Sequence, residues 1–183
     1  MTAMEKNKLI SLAIEKGADH AGFARVSDLS FNREFRAICE ANGCGNYGKC
    51  WTCPPFVGEI DELMARLKTY REVLVYQTIS QIEDSFDIEG MLEAGNRHNR
   101  IAEQIAAAVL PKLNGEVLHL SAGGCRLCPV CAKREDKPCR FPDRALASLE
   151  AYGVSVSDLA LAAGLKYLNG VNTVTYFGAF FIK

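Results

Sequence analysis

Residues 125–139 read Cys-Arg-Leu-Cys-Pro-Val-Cys-Ala-Lys-Arg-Glu-Asp-Lys-Pro-Cys, and this stretch is the strongest chemical signal in the chain. Its four cysteines are Cys125, Cys128, Cys131 and Cys139. Two residues separate successive members of the first three, and seven residues separate the third from the fourth. One loop can turn four thiolates with this spacing inward on a single inorganic centre. We therefore predict that the rest of the chain is a scaffold for this carboxy-terminal motif.

The spacing of the carboxy-terminal motif distinguishes between two kinds of metal centre. Structural zinc sites usually use two separated Cys-x-x-Cys pairs, because a tetrahedral ion is easily held between them. A continuous Cys-x2-Cys-x2-Cys run instead opens the bacterial ferredoxin motif, which continues x3-Cys-Pro. This chain departs from that motif in its longer last spacer and in Pro142, three residues after Cys139. The spacing favours an iron–sulfur cluster, and zinc is the alternative.

A second group of cysteines lies earlier in the chain and forms the amino-terminal motif. Its spacing is Cys-x4-Cys-x5-Cys-x2-Cys-Pro-Pro, with three glycines between the cysteines that allow a loop to fold around a cluster. By itself this spacing suits zinc as well as an iron–sulfur centre. Tyr47, Trp51 and Phe56 either screen the site from water or are ordinary core aromatics. The motif consists of Cys39, Cys44, Cys50 and Cys53.

The two motifs account for all eight cysteines as four plus four. Two four-iron four-sulfur clusters are the simplest assignment, and one site that draws ligands from both motifs is the other. Met1 to Lys8 carries charges and does not resemble a signal peptide, so we expect a reducing compartment, the cytoplasm. In that compartment thiols are kept for metals more often than for disulfides, although four disulfides are a further alternative.

The composition is that of an ordinary globular protein. Of 183 residues, 49% are hydrophobic and 23% are charged, which predicts a single domain spanning residues 1–183. No run approaches the roughly 18 apolar residues that a membrane span needs. The formal net charge of −1 gives no general attraction to nucleic acid. We therefore expect neither a membrane nor a nucleic acid as partner.

Hydrophobic periodicity predicts alternating helices and strands. Strands are predicted at 21–26, 73–76, 116–120 and 171–182, the second covered on both faces and the last with Gly178 as a bulge. Helices are predicted at 9–16, from Ser27-Asp28 or Ser30 towards Cys39, at 60–67, at 88–110 where Gly95 could interrupt it, at 145–152 and at 157–165. We predict an α/β or α+β fold, a small mixed β-sheet flanked by helices with two cysteine-rich metal-binding loops.

Two histidines and two arginines lie in these elements. His119 lies in the predicted strand at 116–120, and we interpret it as a packing residue because the cysteines already complete a set of four ligands. Arg97, His98 and Arg100 lie in the polar part of the long helix. They are predicted to form a solvated face, which an anionic partner could also use.

Several short segments resemble a known family. They are Gly17-Ala-Asp-His-Ala-Gly, Cys44-Gly-Asn-Tyr-Gly-Lys-Cys-Trp-Thr-Cys-Pro-Pro, Gly124-Cys-Arg-Leu-Cys-Pro-Val-Cys, Pro138-Cys-Arg-Phe-Pro and Tyr176-Phe-Gly. Together they are similar to a family of small prokaryotic proteins known only as predicted metal-binding proteins of unknown function. The resemblance covers nearly the whole chain, and the cysteine motifs are its specific part. It implies metal binding by both sets of cysteines, and it brings no substrate and no reaction.

These features favour an iron–sulfur protein that transfers single electrons to and from a redox partner protein. Six Lys or Arg against three Asp or Glu between Cys125 and Arg144 would raise a cluster's potential or guide an acidic partner. The alternative is a zinc-binding structural or interaction module with two sites of four cysteines each. A second alternative is a cluster-dependent enzyme or a metal-transfer factor. The chain contains no nucleotide-binding glycine loop, no serine-hydrolase elbow and no His-Glu-x-x-His motif.

Overall fold

Four strands form the single sheet of the protein. The computed structural model describes residues 1–183. The strands are β1 (His20–Arg25), β2 (Glu72–Gln81), β3 (Val117–Leu120) and β4 (Thr173–Ile182). The helices are α1 (Ala3–Glu15), α2 (Phe35–Glu40), α3 (Ile60–Leu67), α4 (Ile88–Val109) and α5 (Val156–Ala162). Helices and strands together confirm the predicted α+β class. None of the helices combines the length and the apolar character that a membrane-spanning segment requires.

The strand order is β1-β2-β4-β3, and all three pairs are antiparallel. The prediction of mixed strand directions was therefore wrong. Arg25, the last residue of β1, lies opposite Glu72, the first residue of β2, so the connection between them begins and ends at one end of the sheet. A parallel pair would need a crossover, which this connection does not make. One isolated parallel bridge, between Ser121 and Ser148, lies outside the four strands.

The sheet separates two hydrophobic clusters, and β2 contributes to both. Val73 and Val75 point into a cluster with residues of α3 and α5, whereas Leu74 and Tyr76 point into a cluster with residues of α1 and α4. All four side chains are fully buried. Burial on both faces of β2 was predicted from its continuous apolar run and is confirmed.

The sequence analysis predicted a bulge at Gly178. The structure contradicts this, because Gly178 lies in the regular part of β4. It pairs with Tyr76, and the register continues without a break to Ala179 opposite Val75. A Cβ atom at position 178 would lie 2.2 Å from Cζ and Oη of Tyr76. Glycine is therefore needed because the buried tyrosine ring lies across the strand at this point.

Four of the predicted helices have different boundaries. Helix α1 begins at Ala3, six residues before its predicted start at residue 9. Residues 145–149 are not helical, and only a 3-10 turn at Glu150–Tyr152 forms before the left-handed Gly153. The apolar spacing there imitates a helix, but the segment pairs with the residues that follow β3. Helix α5 starts after Ser155 and ends at Ala162, three residues before the predicted end. Helix α2 starts only at Phe35, because residues 26–28 form a separate 3-10 turn.

His98 is buried, which contradicts its predicted place on a solvated face. Its exposed fraction is 0%, because it belongs to the α4 stripe that packs against the sheet. Its Nδ1 is 2.8 Å from Oγ1 of Thr78, and its Nε2 is 3.1 Å from Oγ of Ser121. Burial lowers the pKa of His98 to about 4, so the ring is neutral at pH 7. Arg100 is exposed, as predicted.

His119 is packed within the sheet, in agreement with the prediction. Its ring stacks on Phe180 with the centroids 3.9 Å apart, and its Nε2 is 2.8 Å from the hydroxyl of Tyr76. Burial lowers the pKa of His119 to about 3. The ring is therefore neutral, and it is already engaged with two aromatic neighbours.

Candidate metal centre

The carboxy-terminal cysteine loop, residues 122–146, leaves the sheet directly from the end of β3. Ser121 closes the base of this loop with two backbone hydrogen bonds. Its N–H donates to the carbonyl of Ala147 at 3.0 Å, and its carbonyl accepts from the N–H of Leu149 at 3.0 Å. Leu120 and Leu149, on either side of this closure, are both in the hydrophobic core. The four cysteines are thus carried by a long loop whose two ends are fixed to the core.

Inside this loop the backbone makes a compact turn after Cys131. A 3-10 turn spans Ala132–Glu135 and ends at Asp136, which has a left-handed φ of 51°. The N–H of Lys137 returns to the carbonyl of Ala132 at 3.1 Å. Arg140 Nη1 donates to the carbonyl of Val130 at 2.9 Å and so fixes the segment after Cys139. The seven residues between Cys131 and Cys139 are therefore folded into a turn and do not extend away from the motif.

These turns bring the four cysteines of the carboxy-terminal motif around one small cavity. Leu127, Ala132 and Phe141 contribute apolar walls to the same cavity. Each of the four thiols is partly buried. A soft donor set of sulfurs in an apolar surrounding suits iron–sulfur clusters and zinc. The cavity is lined by Cys125, Cys128, Cys131 and Cys139.

The amino-terminal cysteine loop, residues 39–55, begins in the last turn of α2. Asn42, Gly45 and Gly48 have positive φ angles, which lets the chain reverse direction repeatedly over a short distance. Gly48 N–H donates to the carbonyl of Pro54 at 2.9 Å and closes the loop. Cys50 becomes buried at 2% exposure, whereas Cys44 is exposed. Two of the three glycines that the sequence analysis identified therefore shape the loop, and Gly43 does not take a positive φ.

Cys50 and Cys53 are electrostatically linked. A hydrogen bond from the Cys53 thiol, with smaller contributions from Thr52 and Cys131, lowers the pKa of Cys50 to about 5. The same interaction raises the pKa of Cys53, and burial and the charges of Cys44 and Cys39 act in the same direction. The lowered pKa favours the thiolate form of Cys50. A deprotonated sulfur is the form that binds a metal.

The two cysteine loops lie against each other. The indole N–H of Trp51 donates to the carbonyl of Lys137, and the thiol of Cys131 is close enough to stabilise the Cys50 thiolate. A Cβ atom at Gly124 would lie 2.9 Å from Nδ2 of Asn46 and 3.7 Å from Sγ of Cys53. Glycine at position 124 thus permits the close approach of the two loops.

Each predicted ligand can now be placed. The four cysteines of the carboxy-terminal motif share a cavity, and in the amino-terminal motif Cys53 lies beside Cys50. All eight thiols are free. No group of three or more His, Cys, Asp or Glu side chains is arranged to hold a single metal ion. The assignment of the eight cysteines as ligands therefore stays a prediction.

The aromatic contact between the two loops was not predicted from the sequence. The ammonium group of Lys133 lies 5.0 Å from the ring centroid of Trp51 and 4.3 Å from that of Phe56. These two rings are in edge contact, with centroids 5.4 Å apart. The aromatic residues of the amino-terminal loop thus pack against the other loop. Their position close to the cysteines was the only sequence signal for this contact.

The family of the chain follows from comparison with known proteins. No curated protein and no solved structure shows significant similarity to the chain. Residues 23–182 match the family described as "Predicted metal-binding protein (DUF2284)", and the matched region includes both cysteine motifs. The chain therefore belongs to this family of predicted metal-binding proteins.

Proposed function

We propose that this metal-binding protein is an iron–sulfur protein that transfers single electrons between two [4Fe–4S] clusters and a redox partner protein in the cytoplasm. One cluster would be held by Cys125, Cys128, Cys131 and Cys139. The other would be held by Cys39, Cys44, Cys50 and Cys53. The observation that carries this proposal is the cavity that the four cysteines of the carboxy-terminal motif line together.

The donor atoms support iron–sulfur chemistry. Both loops offer thiols, which are the usual ligands of iron–sulfur clusters. Of the residues that line the small cavity, none is a histidine or a carboxylate. The lowered pKa of Cys50 favours the deprotonated sulfur, which is the form that binds a metal. When bound, a cluster supplies one-electron redox chemistry, and the protein sets its potential through charge, hydrogen bonds and burial.

The contact between the loops supports a relay between two centres. Trp51 is hydrogen-bonded to Lys137, and Cys50 is beside Cys131. Two centres held by these loops would be neighbours. An electron that enters at one loop could therefore pass to the other without crossing the hydrophobic core.

The charge of the carboxy-terminal loop supports an acidic redox partner. Lys133 and Lys137 are paired with Asp136 and Glu135. Arg134 and Arg140 have no carboxylate partner in the chain, although Arg140 also donates to a backbone carbonyl. Unpaired surface cations attract an acidic partner and increase its association rate.

Metal and sulfide analysis of the anaerobically purified protein tests the proposal. We expect a brown protein with about eight iron and eight sulfide per chain, four of each for every cluster. Reduction with dithionite should bleach the visible absorption and give the electron paramagnetic resonance signal of reduced clusters. A colourless protein with stoichiometric zinc and no sulfide would instead show that both loops are structural zinc sites.

A further inference from the structure

A wide cleft separates the exposed face of α4 from the carboxy-terminal cysteine loop. Its volume is about 910 Å³, within the range of roughly 300–1,000 Å³ that is typical of small-molecule sites. Cys44, Cys125 and Cys128 lie in its wall. A second groove of about 1030 Å³ beside α1 contains neither cysteine nor arginine. The cleft at α4 is therefore the one that adjoins the proposed metal ligands.

The polar side chains of this cleft are cationic or neutral donors, with one exception. Arg100, Arg126 and Arg144 face a single carboxylate, that of Glu103. Glu103 is already paired with Arg144, whose Nε lies 3.2 Å from Oε1. Arg100 and Arg126 have no acidic partner, whereas the neighbouring Arg97 is close to Asp19. The cleft thus contains two positive charges that the chain does not neutralise.

The guanidinium group of Arg126 packs against Gly95, which has no side chain. Gly95 is buried in the middle of α4, and a Cβ atom there would lie 3.1 Å from Cζ and from Nη2 of Arg126. Glycine inside a helix costs about 0.5–1 kcal/mol relative to alanine. Helix α4 continues through Gly95 without the interruption that the sequence suggested. Gly95 therefore lets the guanidinium group rest against the helix, at the edge of the cleft.

The face of α4 adds further donors beside Arg126. Asn96, Asn99 and Arg100 line the cleft, and Asn99 and Arg100 follow Asn96 by three and four residues, so they lie on the same side of the helix as Asn96. Neither asparagine side chain has a hydrogen-bond partner within the protein. Guanidinium and amide groups that converge on a concave site are typical binding groups for carboxylates and phosphates.

We infer that this cleft binds a small molecule carrying carboxylate or phosphate groups, with Arg126 and Arg100 as its principal contacts. Such a ligand would lie against Cys125 and Cys128 and so beside the proposed cluster. A ligand site goes beyond electron transfer, which needs only a surface for a partner. Anion binding depends on the arginines and not on the redox role, so the two can be tested separately.

Calorimetric titration of the anaerobically purified protein at low ionic strength tests this inference. The probes are citrate and pyrophosphate, which distinguish a carboxylate ligand from a phosphate ligand. We expect saturable binding of at least one of them. Arg126→Gln and Arg100→Gln should each weaken it about tenfold or more, as expected for the loss of a charged hydrogen bond. Arg25→Gln, a change of an exposed arginine outside the cleft, is the matched control and should bind normally.

A second variant does not touch the cysteine loop. Gly95→Ala should also weaken binding, because its methyl group would push the Arg126 guanidinium back by a few tenths of an ångström, while iron and sulfide content stay at the wild-type level and thermal stability does not fall. The inference is overturned if neither probe binds, or if binding is the same in Arg126→Gln, Gly95→Ala and wild type. Binding of polyglutamate but of neither small anion would also overturn it, since that result indicates a docking surface for a protein.

Discussion

The indole Nε1 of Trp51 donates a 2.9 Å hydrogen bond to the main-chain carbonyl oxygen of Lys137. The two residues are 86 positions apart and belong to different cysteine loops. Lys133 lies over the same indole ring. Trp51 therefore fixes the relative position of the two loops by a polar contact at its edge and a cation–π contact on its face.

Replacement of Trp51 by phenylalanine should loosen this contact. The ring is kept, but the N–H donor is lost and the Lys137 carbonyl loses its partner. We expect the free energy of unfolding to fall by about 1 kcal/mol and iron to be released faster to a chelator. Tyr47→Phe is the matched control, because the Tyr47 hydroxyl makes no hydrogen bond in the structure. Equal chelation rates in the two variants would show that Trp51 does not hold the loops together.

Replacement of Gly178 by alanine should destabilise the sheet. The added methyl group would lie 2.2 Å from ring atoms of Tyr76, whose side chain is fully buried and cannot move aside. Overpacking of this kind costs about 1–3 kcal/mol. Chemical denaturation would measure the loss. Gly43→Ala is the control, because its methyl group meets no atom within 4 Å, and a similar loss there would contradict the steric explanation.

The strands could be predicted because their signals are local. The apolar run at Val73 to Tyr76 and the β-branched and aromatic residues before Ile182 lie in strands β2 and β4. Strand direction could not be predicted, because it depends on where the connections cross the sheet. The predicted helix at 145–152 failed for a similar reason, since Ser121 binds Ala147 and Leu149 from a distant part of the chain.

For the candidate site, the sequence predicted which side chains could bind a metal but not the contacts that hold the two loops together. Cysteine spacing identified the eight thiols, because ligands of one centre are close in sequence. It gave no indication that Trp51 would reach Lys137 or that Gly95 would receive Arg126, since each contact joins segments far apart in the chain. His98 was misplaced because its polarity outweighed its helical spacing, which puts it on the buried stripe of α4.

The free energy of unfolding should fall in mild acid, because protonation of His98 favours the unfolded chain. Its pKa in the folded protein is lowered to about 4 by burial, with Arg97 and Arg126 acting in the same direction, against the ordinary value of about 6.5. The unfolded chain therefore binds more protons between these values, so this contribution is complete above pH 6.5 and is lost as the pH falls towards 4. Between pH 7 and pH 5 the loss should be about 2 kcal/mol.

Denaturation curves of variants at several pH values test this assignment. His98→Gln removes the titrating group, so its stability should depend less on pH over this range, even if the variant is less stable at pH 7. His20→Gln, a change of an exposed histidine, should keep the wild-type dependence. If His98→Gln keeps the full dependence, the titration belongs to another group.

Replacement of Cys128 by serine should remove about half of the bound iron and sulfide. Cys128 lines only the carboxy-terminal cavity and the cleft beside it, so the centre held by the amino-terminal loop should remain. Cys44→Ser is the matched variant in the other loop and should remove the other half. Iron and sulfide analysis, with the visible spectrum, measures both losses. Complete loss in both variants while the chain stays folded would contradict two separate centres, because it would mean that both loops hold one shared centre.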